Sequence, residues 1–275
     1  MLDAFIAAAC APRSDHGSGT LDEAEAILAA HPEVRQSAIH AAAILGDDVA
    51  VARLLAHDRA RASVPGGPYG WDPLTHLCFS RYLRLRPADG FVRAAEALLD
   101  AGADPDTGFF EPTHQPEPTF ESALYGAAGV AHHGGLTRLL LARGADPNLG
   151  GEVAYHSPEG FDDDAMEAVV ASGRLAPDGL TTMLHRKLDW HDLRGTRWLL
   201  DHGADPNAVS AWGDRALHHA LARDNPPALL EALLDSGADP SLTAPRRDGR
   251  SAVAMAADAG RADAVEVFRR RGHAG

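Results

Sequence analysis

Cysteine is almost missing from this chain. Cys10 and Cys78 are far apart and form no CxxC pair, so neither a disulfide framework nor a thiolate zinc site is supported, and two buried thiols are expected. Aromatic residues make up only 6% and β-branched residues are sparse, which removes the usual material of a large sheet. No apolar run approaches the roughly 20 residues that cross a bilayer. The opening MLDAFIAAACAPRSDH carries an acid where a secretory leader is basic, so the expectation is a cytoplasmic chain without a membrane partner. Positive charge is also short, with 25 Lys and Arg against 39 Asp and Glu and a net charge of -14. Such a chain repels phosphate backbones, and Arg246-Arg247 and Arg269-Arg270-Arg271 are too short to reverse that, so no nucleic-acid partner is expected. The 15 histidines include no HExxH and no His-x3-His. There is also no GxSxG elbow, phosphate-binding loop or dinucleotide fingerprint, so neither a metal nor a cofactor is expected.

What is abundant is alanine, leucine and repetition. The tetrapeptide GADP occurs four times, at Gly102, Gly144, Gly203 and Gly237, each time after an apolar stretch such as EALLDA or RWLLDH. Paired leucines there face a core, and the glycine supplies a left-handed helix stop. About eighteen residues upstream of each stop lies a second signal: a polar residue, a small residue or Pro, an apolar residue and often His. Copies include Ser37-Ala38-Ile39-His40, Asp72-Pro73-Leu74-Thr75, Thr182-Met183-Leu184-His185 and Arg215-Ala216-Leu217-His218. The polar residue caps free amides, and Pro at the first helical position sacrifices no hydrogen bond.

These two signals resemble the ankyrin-repeat family, whose signature runs T-P-L-H, small residues, Gly, a second helix ending in LL, and G-A-D-x-N. The likeness covers nearly the whole chain and suggests a stand-alone bacterial-type array. It implies an all-α solenoid of about eight helix pairs with short turns or hairpin loops and two insertions in the central repeats. On this reading 1–275 is one domain: 1–33 an N-terminal capping pair, 34–248 the repeats, and 249–275 a C-terminal capping repeat. Each pair is too small to bury its own apolar stripe, so copies stack.

The irregularities fall in the middle. Two insertions, Phe79 to Phe91 and Thr107 to Phe120, lengthen the central repeats, and the three prolines and three phenylalanines of the second predict an extended finger. Ser157-Pro158-Glu159-Gly160 places Pro and Gly where a first helix would continue, so that helix is expected to be short or lost. In the next repeat Lys187 replaces a usual alanine. The family resemblance puts turns and first helices on a concave face, which nominates Tyr69, Trp71, His76, Arg81, Phe109, Phe110, Tyr125, Tyr155, Trp190 and Trp212 as binding residues. The aromatics around Tyr69 and Trp71 can equally be packing beneath the insertion. Histidines at the fourth motif position, His40, His156, His185 and His218, are expected to bond within the turns.

Two functions fit. The resemblance implies a non-catalytic scaffold that grips a protein partner with its concave face and Phe-rich finger, the partner carrying a basic surface to complement an acidic chain. The alternative is an enzyme or small-molecule-binding protein, with His156, Glu159, His185 and Lys187 converging as acid and base at the degenerate central repeats.

Overall fold

The structure, a computed structural model, describes residues 1–11, 19–85, 88–113 and 117–273. The chain forms two compact units: residues 1–157 with 164–174, and residues 158–163 with 175–275.

In the first unit, α1 (Leu2–Ala9) and α2 (Asp22–Ala30) pair at the N-terminus. They occupy the stretches expected to cap the array. There follow α3 (Val34–Ser37), α4 (Ile39–Leu45), α5 (Asp48–His57), α6 (Pro73–Cys78), α7 (Ala88–Asp100) and the strands β1 (Gly108–Glu111) and β2 (Thr119–Ser122). The unit closes with α8 (Ala123–Tyr125), a π-helical turn at Gly126–Val130, α9 (Gly134–Ala142), α10 (Glu152–His156) and α11 (Asp164–Ala171). First helices stack in the order α1, α4, α6, α8, α10, and second helices in the order α5, α7, α9, α11.

Local chemistry sets these boundaries. Asp72 accepts from the Thr75 amide with Pro73 at the first helical position, and Ser122 accepts from the Tyr125 amide. The first GADP glycine, Gly102, lies at φ +106°, a conformation that an L side chain strains to adopt. Gly126 has a packing reason instead, since a Cβ there would sit 2.9 Å from the Cys78 carbonyl oxygen. As expected, Pro158 and Gly160 follow a curtailed helix: α10 has five residues.

The second unit holds α12 (Pro177–Asp189), α13 (Leu193–Asp201), α14 (Ala216–Ala222), α15 (Pro227–Asp235), α16 (Ala252–Asp258) and α17 (Ala262–Arg270). Here α12, α14 and α16 stack as first helices and α13, α15 and α17 as second helices. The leucines before the GADP stops do what their spacing demands: Leu98, Leu140, Leu199 and Leu233 are fully buried, each stabilising by about 1.5–3 kcal/mol. Among the described residues the helices make eight pairs, the N-terminal pair included. The second insertion is a β-hairpin in which Phe109 faces Glu121 and Phe110 faces Phe120. Its residues 114–116, like residues 86–87 of the first insertion, lie outside the described residues.

Candidate functional site

The hairpin divides its phenylalanines between two environments, because successive side chains of a strand point to opposite faces. Phe109 points inward, stacks on Trp71 with centroids 4.3 Å apart and meets the edge of Phe79 at 5.1 Å. At its root Thr107 Oγ1 bonds to the Asp72 carboxylate that caps α6, tying the insertion to the stack. Trp71, His76 and Tyr125 are buried with Phe109, so these four nominated residues are core side chains of the first unit. Arg81 donates to the Cys10 carbonyl at 3.0 Å and holds the first insertion against the N-terminal pair. Tyr69 is half-buried on Trp71 at 4.8 Å. Phe110 points outward, 61% exposed, braced edge-to-face by Phe120 at 5.1 Å.

A Cys–His pair that the sequence reading missed lies in the same core. His76 Nε2 donates to the Gly66 carbonyl at 3.1 Å, which leaves Nδ1 to accept from the Cys10 thiol at 3.5 Å. Burial pushes the thiol far up and, with His40 alongside, lowers His76 to about 4. A neutral thiol against a neutral imidazole is the opposite of an activated thiolate, so the geometry fits a packing contact. Contact between residues 66 apart leaves no signal in sequence.

The four acid-base nominees fall in different units. His156 belongs to the first, 3.2 Å from Glu152 and between the rings of Tyr125 at 5.3 Å and Tyr155 at 4.7 Å. Glu159, His185 and Lys187 belong to the second. Glu159 pairs with Arg186 at 2.6 Å, and Arg186 reaches Asp189 at the same distance. Lys187 is fully buried and spends its three N–H groups on the Gly160 carbonyl, Asp163 and Asp192. Burial opposes ionisation of Asp192, but the bonds from Lys187 and the Gly195 amide outweigh it and hold the carboxyl below its usual range. His185 donates through Nδ1 to the Thr181 carbonyl of its own helix at 2.8 Å. Burial, with His219 close by, lowers it to about 4. His40 and His218 bond to the loop carbonyls of Val64 and Arg250, the role expected of the fourth motif position. His185 departs from that role by bonding within its helix.

Around this buried network the second unit exposes aromatic rings. Trp190, at the end of α12, meets Phe161 edge-to-face at 6.3 Å, and Trp212 lies 6.1 Å from His185. Phe161 was not nominated: it stands alone between Gly160 and Asp162, and nothing in the sequence says that its loop is held outward.

Comparison with known proteins agrees with this architecture. The family model for ankyrin repeats (many copies) matches residues 184–230. The ankyrin repeat domain of human ASB11 superposes with a TM-score of 0.58 at 23% identity, over 79% of this chain and 90% of that one. The ankyrin repeat domain of Bcl-3, a member of the IkappaB protein family, gives a TM-score of 0.65 at 20% identity, over 85% and 98%. No curated protein matches the sequence. The chain has the ankyrin-repeat fold, and ankyrin repeats are what its residues 184–230 encode. No helix among the described residues is long and apolar enough to cross a membrane.

Proposed function

We propose that this chain is a non-catalytic scaffold that holds a protein partner, with the hairpin finger as anchor and a basic partner surface as its complement. The observation that carries the reading is Phe110, a large apolar side chain held outward on a hairpin whose other face is locked into the core. An aromatic presented without freedom to collapse is a low-entropy anchor. Its surroundings supply the charge preference. Residues 94–137 contain seven Asp and Glu and no Lys or Arg. Arg143 pairs with Glu96 and Asp100, and Asp104 is exposed just before the hairpin. Ankyrin repeat domains in general bind proteins, and the likeness of fold supports the same class of role here. The alternative, acid-base catalysis by His156, Glu159, His185 and Lys187, has less support because each of the four is already engaged, Lys187 with all three protons.

Selection of random displayed peptides on the immobilised full chain tests the proposal. Peptides dependent on the finger are expected to be rich in Lys and Arg, and Phe110→Ala is expected to weaken them at least about tenfold, roughly 1.4 kcal/mol. Peptides that bind Phe110→Ala as tightly as the parent would remove the finger as the anchor.

A further inference from the structure

Three ion pairs of the second unit are layered. Asp163 has 2% of its side chain exposed while its partner Arg194 has 65%. Asp189 shows 14% against 54% for Arg223, and Asp214 shows 1% against 54% for Arg246. In each pair the carboxylate is inside and the guanidinium outside. At these three pairs an approaching molecule meets the cation before the acid. A guanidinium has five N–H donors, and one facing carboxylate leaves some of them for a second acceptor.

Beside Arg194 stands Phe161, 65% exposed, in ring contact with Trp190, 41% exposed, which directly follows the Asp189 that Arg223 holds. The loop that carries Phe161 is pinned at four successive points. Arg186 holds Glu159, Lys187 holds the Gly160 carbonyl, Arg194 holds the Phe161 carbonyl at 2.8 Å, and both Lys187 and Arg194 hold Asp163. Desolvating Lys187 and Asp163 is costly, and hydrophobic residues of similar volume would pack as well or better. What the charges provide is a fixed backbone that keeps a phenylalanine in solvent. Trp, Phe and Arg held rigidly on one surface are the composition of a binding hot spot.

We propose that the face of the second unit around Phe161, Trp190 and Arg194, extended by Arg223, docks an acidic segment of a partner protein. Its carboxylates bond to the outward guanidiniums, and an apolar residue between them packs on the two rings. A protein segment fits better than nucleic acid, because exposed Asp162 on the same loop and the net charge of -14 oppose a continuous polyanion. This surface is independent of the finger and has the opposite charge preference.

The test is peptide selection on the full chain, with clones sorted by the variants that abolish their binding. The expected result is a class rich in Asp and Glu that loses at least tenfold in affinity on Trp190→Ala and on the double change Arg194→Gln with Arg223→Gln, yet binds Phe110→Ala unchanged. Trp190→Ala removes one ring contact to Phe161 but leaves intact the ion pairs and hydrogen bonds that pin the loop, so it decides the matter if the arginine variant fails to fold. The proposal is overturned if no clone depends on Trp190, or if the clones that do are rich in Lys and Arg. It is also overturned if a labelled single-stranded oligonucleotide binds the parent and not Trp190→Ala.

Discussion

Lys187 occupies a first-helix position where the repeat calls for alanine, and Gly195 makes room for it: a Cβ there would sit 2.6 Å from the lysine side chain. The substitution joins α12 to the loop at 158–163 through Asp163 and to the cap of α13 through Asp192. Removing one member of such a cluster strands the others in a buried site. Lys187→Ala is expected to cost about 3–5 kcal/mol, read as a lower urea midpoint at pH 7, with Asp163 and Asp192 left uncompensated. A loss below about 1 kcal/mol would mean that water already solvates these groups. In sequence Lys187 was visible as an oddity, but its partners lie 24 and 5 residues away, and nothing local distinguishes a structural lysine from a catalytic one.

At the scale of elements, the helices and their ends were the most legible part. Capping residues, GADP stops and leucine spacing act within a few residues, so the sequence states them directly. The shortened α10 was legible for the same reason. The insertions were legible in place, and the second in its extended form, but not in their packing, which depends on long-range contacts. That Phe109 stacks on Trp71 while Phe110 faces solvent follows from hairpin register, and register is set by contacts with α6 and its loop. On the proposed reading the two phenylalanines separate stability from binding. Phe109→Ala is expected to cost about 3–5 kcal/mol in thermal or urea unfolding, and Phe110→Ala to change stability by less than about 0.5 kcal/mol. Equal costs would show that the hairpin does not sort its faces as described.

Over the whole molecule the net charge of -14 is unevenly placed, with most of the acidic excess in the first unit and a run of arginines at the end of the second. Composition alone gave the sign of the charge and hence the expectation of a basic partner; it could not show that three ion pairs of the second unit turn a guanidinium outward over a more deeply placed acid, since that layering exists only in three dimensions. An acidic surface around a single apolar anchor divides the kinetics of binding: charge accelerates encounter and the anchor slows release. The most direct measurement is association and dissociation of a finger-selected peptide, for the parent and Phe110→Ala, between low and physiological salt. The account predicts an association rate that falls as salt rises and a dissociation rate raised about tenfold or more by Phe110→Ala. An association rate indifferent to salt, with a dissociation rate indifferent to Phe110, would contradict it.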